Sequence, residues 1–376
     1  MHRYPHRLMH RCGFPRECTC FIVPPFLLDE FAKKGTPEQQ EAALNAIAQS
    51  AAIRARRAML GDLAKMKGVD IAGLVPARAA GAEDRSVYDV EHGGYNDLPG
   101  RLVRSEGGPA SSDDAVNEAY DGADSTYTFY KDVFDRDSVD GSGLALVSCV
   151  HFGNKFDNAF WDGGEMVYGD GSNQLFIAGS LTKAIDVIGH ELTHGVTQYT
   201  AGLEYHGQSG ALNESFSDVF GSLVKQYTLG QSADEADWLI GAGLMVPQIG
   251  GKALRSMSDP GTAFNGDPQP AHMDDYRDLP DDNDPRHDNG GVHINSGIPN
   301  KAFYLAATAI GGNAWEGAGK IWYQTLTERL ESTSDFTHAA EATIEAATDI
   351  FGAGSNEEQA VQHAWEEVGV PVAVSA

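Results

Sequence analysis

Cysteine is scarce in this chain and unevenly placed: of four in 376 residues, Cys12, Cys18 and Cys20 crowd the start, and Cys149 stands alone. A body with one cysteine has no internal disulfide, so oxidising export is neither required nor excluded. Long apolar runs are also missing. No segment approaches the ~18 apolar residues of a membrane span, which sets aside a helical membrane protein. The first residues, Met1 to Arg11, are basic but lack the apolar stretch of a secretory signal. Positive charge thins out after residue 80. Residues 1–80 carry 12 Lys+Arg against 7 Asp+Glu, net +5, while residues 81–376 carry 15 against 47, net −32. So acidic a body argues against nucleic-acid binding. The basic leader has two readings: it docks on the acidic body, or it binds some other anionic partner.

What is present starts with His190-Glu191-Leu192-Thr193-His194. Around it Ile185, Ile188, Leu192 and Val196 recur at helical spacing, which predicts a mostly buried amphipathic helix. At about 100° per residue, His190 and His194 leave one face of that helix. Paired neutral imidazoles suit Zn²⁺, and Glu191 lies where it can reach an activated water. Leu212, Phe216, Val219 and Leu223 predict a second helix with Glu214 and Asp218 on one face. A catalytic zinc needs three protein ligands and one open position, and Glu214 supplies the third. Asp218 and Asn213 are then natural acceptors for the imidazole N–H groups.

A third cluster, Asp288 to Gly297, holds Gly290 and Gly291 between Asp288 and His293. Such glycines make a tight turn that can aim His293 inward. Hydrolysis of a peptide builds negative charge on its carbonyl oxygen. His293, oriented by Asp288, and the phenol of Tyr205 are candidate donors to that oxygen.

These clusters, with Asn158-Ala159-Phe160-Trp161, Leu254 to Pro260 and Asn295 to Lys301, resemble the thermolysin family of zinc endopeptidases from about Arg85 to about Val370. Pro24-Pro25-Phe26-Leu27 resembles the Pro-Pro-aromatic-Leu motif of its protealysin-like branch, whose members have short propeptides. The resemblance implies an α+β fold of two lobes, β-rich then helical, joined by a central zinc-binding helix. It implies His190, His194 and Glu214 on one zinc, Glu191 as general base, and His293 and Tyr205 on the oxyanion with Asp288 orienting His293. It further implies Asn158 and the Ala159 backbone on the substrate main chain and Arg255 on the leaving-group side. Val187, Leu181, Ile240 and Leu254 would line an apolar pocket, so cleavage before large hydrophobic residues is expected. The partners implied are protein or peptide substrates, with the chain's own propeptide as an intramolecular inhibitor, in a monomer. Secretion is expected by analogy; without a recognisable signal, cytoplasmic accumulation is the alternative.

Read in order, residues 1–80 form the propeptide, 81–205 the β-rich lobe with the zinc helix, and 206–376 the helical lobe. Phe21 to Leu28 is expected to be extended, because the paired prolines forbid a helix until after them. A helix should run from Thr36, with Pro37 at its first position and Gln39 completing a capping box, to about Lys67. The Gly- and Pro-containing stretch 68–85 reads as an exposed linker, where we expect maturation. Strands are expected within 85–107, across 144–152 and in a hairpin over 160–168, and helices over 113–135 and near 297–310, 313–332, 335–351 and 356–368. Cys18 or Cys20 has two readings, an incidental thiol or a cap on the zinc. Calcium departs from the family pattern. Asp186 and Asp237 are present, but Lys225 occupies a family ligand position and would repel Ca²⁺, so the double calcium site is expected to be absent. The acidic run from Asp274 to Asp284 reads as a solvated loop or a surface cation site.

Overall fold

The computed structural model describes residues 20–67, 83–280, 282 and 284–372, with the side chains of 57–67 and 285 left out. The leader before Cys20, most of the linker that follows Lys67 and the last four residues lie outside the described part.

Strand formation is concentrated early in the chain. Six strands make one sheet: β1 Cys20–Phe21, β2 Arg85–Asp89, β3 Arg101–Ser105, β4 Leu146–Val150, β5 Ala159–Trp161 and β6 Met166–Tyr168, in the order β1-β5-β6-β4-β2-β3. β2, β4 and β6 run parallel, and β3, β5 and β1 pair antiparallel to their neighbours. The leader therefore supplies the edge strand, with Cys20 opposite Trp161 and Phe21 opposite Phe160.

The first helices are α1 Pro25–Lys34, α2 Pro37–Lys67 and α3 Asp114–Phe134. α1 corrects the expectation of an extended Phe21 to Leu28. Pro24 is extended, but Pro25 takes the first helical position, where its fixed φ suits a helix and its missing N–H costs nothing. Leu27 and Leu28 are buried as a result. The capping box at Thr36 forms, with Thr36 N donating to Gln39 Oε1 at 3.0 Å and Gln39 N to Thr36 Oγ1 at 3.3 Å. α3 is capped by Asp113, whose carboxylate accepts from Ala115 N at 3.0 Å.

Later come α4 Ile185–Gln198, α5 Gly207–Leu229, β7 Leu239–Ile240, β8 Arg255–Ser256, α6 Asp288–Asn295, α7 Gly297–Ile310, α8 Ala318–Glu328, α9 Phe336–Phe351 and α10 Asn356–Glu367. α8 is shorter than the periodicity suggested, ending at Glu328. α4 and α5 pack most closely where Gly189 meets Gly221. A Cβ on Gly221 would stand 2.4 Å from the Asp186 carbonyl oxygen, so only glycine permits this approach. That contact brings the two functional helices face to face. No helix among the described residues is long and apolar enough to cross a membrane.

His151, in the left-handed region at φ 57°, ties three segments together. Its Nδ1 lies 2.7 Å from Asp170 and its Nε2 2.8 Å from Asp113, the cap of α3. The Asp170 hydrogen bond, joined by that of Asp113, raises its pKa from 6.5 to about 9 against the opposing effect of burial. A raised pKa stabilises the fold fully below pH ~6.5, and the gain is lost as pH rises through about 9. We expect His151→Asn, which tolerates a positive φ, to flatten the fall in melting temperature between those limits. The site is partly exposed, so the effect should be on the order of 1 kcal/mol. A pH-stability curve parallel to that of the parent would remove this assignment.

Candidate active site

The two histidines of α4 and the acids of α5 meet inside the molecule. His190 and Glu214 are fully buried, and His194 nearly so. His190 Nδ1 lies 2.8 Å from Asp218 Oδ1, and His194 Nδ1 lies 2.8 Å from Asn213 Oδ1. Facing an acceptor, each Nδ1 carries the proton, which leaves a lone pair on each Nε2. Those two Nε2 atoms face each other at 3.0 Å. Two lone pairs so close repel unless a cation lies between them.

Glu214 closes the group, with Oε2 3.5 Å from His190 Nε2 and Oε1 3.5 Å from His194 Nε2. One donor atom from each residue lies within 4.8 Å of the other two. Glu214 Oε2 has no hydrogen-bond donor among the described residues. Two imidazole nitrogens, one carboxylate and an orphaned buried oxygen fit a zinc ion. Burial favours the neutral form of Glu214, but the charged His293 leads the influences that outweigh it and lower its pKa. Burial also drives the His194 pKa down to about 3, keeping the ring neutral as a ligand must be.

Asp218 holds more than His190. Its carboxylate also accepts from Arg255 Nε at 2.7 Å, Arg255 Nη2 at 2.8 Å and Asn300 Nδ2 at 2.9 Å. Burial opposes its ionisation, but the Arg255 guanidinium wins and holds its pKa well below the usual range. Glu191 is buried one position beyond His190. Its Oε2 accepts from Trp161 N at 2.8 Å, and burial, with Glu214 nearby, pushes its pKa well up.

The glycine turn works as its residues suggest. Asn289, Gly290 and Gly291 take φ of 51°, 77° and 84° inside α6, folding the chain back on itself. Asp288 then accepts from His293 N at 2.8 Å and Ile294 N at 3.1 Å, and from His293 Nδ1 at 2.6 Å. Burial disfavours a charged His293, but Glu214 and Asp288 outweigh it and raise its pKa to about 9. The Tyr205 phenol donates to Glu214 Oε1 and lies 3.2 Å from His293 Nε2.

Across this group lies the leader. His293 Nε2 is 3.0 Å from the Phe21 carbonyl oxygen, and Arg255 Nη1 donates to the Ile22 carbonyl at 3.1 Å. Ile22 N donates to Ala159 O at 3.2 Å and also interacts with the Glu191 carboxylate. Asn158 takes both polar groups of Val23, its Oδ1 accepting from Val23 N at 3.0 Å and its Nδ2 donating to Val23 O at 3.3 Å. Ile22 is fully buried in the same apolar cluster as Leu181, Val187, Ile240 and Leu254. Over Phe21 to Val23 the leader is thus held through its backbone and buried apolar side chains, and farther on Asn45 Nδ2 donates to Asn154 O at 2.9 Å. Cys20 packs with Tyr205 and Val292 and is not part of the metal-ligating group; Cys12 and Cys18 lie outside the described residues.

The residues named from the sequence for zinc, proton transfer, the oxyanion and the substrate main chain lie together here. Lys225, Asp186 and Asp237 form a separate group, and three neighbours of the site have no role assigned from the sequence. Ser217 Oγ is 3.0 Å from His194 Nδ1, Asn300 backs Asp218, and Gln269 Nε2 donates to the His293 carbonyl at 2.7 Å. Ser217 sits one helical turn beyond Asn213 and could have been found from that spacing; Asn300 lies inside the Asn295 to Lys301 stretch but had no role there, and Gln269 carried no local signal. Lys225, on α5, faces the first turn of α4. Its Nζ reaches Asp237 at 2.8 and 2.9 Å, and Asp186 Oδ2 and Leu239 O at 3.3 Å each. In the acidic run, His287 Nδ1 lies 2.8 Å from Asp282, and Arg286 pairs with Asp284; Asp281 and Asn283 lie outside the described residues.

Residues 77–198 match the thermolysin metallopeptidase catalytic domain and residues 201–370 the thermolysin metallopeptidase alpha-helical domain. An extracellular metalloprotease of Pectobacterium carotovorum subsp. carotovorum is 46% identical, over 94% of this chain and 97% of its own. Protease PrtS of Photorhabdus sp. (strain Az29) is 43% identical, over 93% of this chain and 92% of its own. The solved precursor of protealysin from Serratia proteamaculans covers 94% of this chain and 100% of its own at 46% identity, with a TM-score of 0.81.

Proposed function

The chain belongs to the thermolysin family of zinc-dependent metalloendopeptidases, and on that premise we propose that it cuts proteins before large hydrophobic residues once its own leader, which blocks the cleft, has been processed. The observation that carries this reading is the leader strand on the edge of β5, with the Phe21 carbonyl at His293 and Ile22 in apolar surroundings. Substrates added to the same edge would be read through their backbone, with side-chain preference left to the pocket.

His190, His194 and Glu214 hold zinc in this account; when bound, zinc polarises a carbonyl and acidifies water. Glu191 takes a proton from the attacking water and delivers it to the departing amide nitrogen. His293, oriented by Asp288, donates to the carbonyl oxygen as negative charge builds there, and Tyr205 is the second donor. Asn158, Ala159 and Arg255 fix the substrate main chain, while Val187 and Leu254 help wall the apolar pocket. Residues 1–80 act as propeptide and intramolecular inhibitor, 81–205 as the first catalytic lobe and 206–376 as the second, in a monomer. By analogy with the extracellular relative, the mature enzyme works outside the cell.

The test is a fluorogenic peptide assay on processed protein, with and without a zinc chelator. Hydrolysis before Leu, Ile or Phe, abolished by the chelator and restored by zinc, is expected. Hydrolysis that survives complete zinc removal would refute the reading.

Lys225 takes the place of calcium in this scheme, its ammonium neutralising Asp186 and Asp237 as a tethered cation. The melting temperature should therefore not change when calcium is chelated. Lys225→Ala leaves the buried Asp186 carboxylate without its partner and should cost about 3 kcal/mol. A calcium-dependent melting temperature in the parent protein would overturn the substitution.

A further inference from the structure

The leader does more than cover the cleft: its backbone lies in register with the catalytic groups, atom by atom. The Phe21 carbonyl oxygen is 3.0 Å from His293 Nε2, where a donor to a developing oxyanion belongs. The nitrogen of the same peptide bond, Ile22 N, donates to Ala159 O at 3.2 Å and lies close enough to the Glu191 carboxylate to favour its charged form. On the following residues, Arg255 holds the Ile22 carbonyl and Asn158 both polar groups of Val23. A segment that merely blocked the site could cross it in any register or in the opposite direction. This one places a carbonyl at the oxyanion donor, its amide nitrogen at the proton carrier, and a buried apolar residue immediately after the bond.

We propose that the Phe21–Ile22 bond is itself a substrate of this chain, cut in cis as a second processing event distinct from maturation in the linker. The proposal rests on the peptidase reading above. One water is consumed: its oxygen bonds to the Phe21 carbonyl carbon, the carbon–nitrogen bond breaks, and its electron pair stays on Ile22 N. Glu191 carries one water proton to that nitrogen. The second water proton, shed by the new Phe21 carboxyl group, also ends on the Ile22 nitrogen, so the products are a Phe21 carboxylate and an Ile22 ammonium, and no oxidant or reductant is involved.

The cut should be slow, because both new ends stay held. Beyond the bond, Asn158 grips Val23, and Leu27 and Leu28 remain buried; before it, β1 pairs with β5. Held ends favour resealing of the bond over escape of the fragments. Cleavage of the linker loosens one side, after which the cut at Phe21 divides the leader into two pieces, neither spanning the cleft. Inhibition then ends irreversibly.

Full-length protein purified without metal, supplied with zinc and sampled over time by mass spectrometry tests this. The expected result is a fragment ending at Phe21 and another beginning at Ile22, formed at a rate independent of protein concentration, with at least one ¹⁸O in the Phe21 carboxylate when the water is labelled. Ile22→Pro removes the N–H that faces Glu191 and should slow this cut about 100-fold, while the linker is still cleaved. A leader released with Phe21–Ile22 intact, from a sample that hydrolyses the fluorogenic peptide, would overturn the proposal. A sample that hydrolyses neither would instead overturn the peptidase reading.

Discussion

Glu191→Gln should abolish peptide hydrolysis, by about 10³-fold or more, while zinc stays bound in a one-to-one ratio. The two effects separate because Glu191 is not among the residues that gather around the metal position. Its Oε2 is held by Trp161 N, and its Oε1 has no hydrogen-bond donor among the described residues. Glutamine is nearly the same shape and keeps the contact to Trp161, so the fold should survive. What it cannot do is take a proton and give it back. The full-length variant should also keep its leader in one piece. Measured by fluorogenic peptide turnover and elemental analysis of the same sample, full activity with zinc bound would remove Glu191 from the mechanism.

Asp218→Asn should damage three things at once. The Asp218 carboxylate serves His190, Arg255 through two bonds, and Asn300. Only one charge is removed, but Arg255 is 1% exposed and would keep a buried guanidinium with no compensating carboxylate at this position. Breaking such a pair costs about 3–5 kcal/mol. The asparagine amide also brings a donor toward either His190 Nδ1–H or Arg255, whichever way it is turned. Loss of the acceptor on His190 should weaken zinc binding by about 10–100-fold. Chemical denaturation should reveal the first effect and zinc competition with a chelator the second. Unchanged stability and unchanged zinc affinity together would mean that Asp218 is not the keystone between metal and substrate sides.

Much of this site could be read in the sequence because its residues lie on regular elements. The apolar spacing around His190 and His194 marks a buried helix, and that spacing alone puts both rings on one face. The same holds for Asn213, Glu214 and Asp218, though nothing local says that the second helix packs on the first. Gly189 and Gly221 make that possible, and their role appears only once the helices are crossed. Asn300 stands 82 positions from Asp218, and Gln269 meets the His293 carbonyl from a loop without periodicity. Polar partners that arrive from distant elements leave no pattern in either neighbourhood. The leader shows a different limit. Its apolar character and paired prolines point to an extended segment, because the pair reads as a helix breaker, whereas Pro25 starts α1 as Pro37 starts α2. The alignment of Phe21–Ile22 with Glu191 and His293 depends on pairing with β5 and on Asn158, 135 residues from Val23. No local rule contains it.

The central claim is that two imidazoles and the Glu214 carboxylate surround one metal ion. Anomalous diffraction at the zinc absorption edge, from crystals grown with stoichiometric zinc, tests it most directly. The expected result is one strong peak about 2.0–2.2 Å from His190 Nε2, His194 Nε2 and a Glu214 oxygen. Zinc bound elsewhere, with no density between those three side chains, would contradict the account.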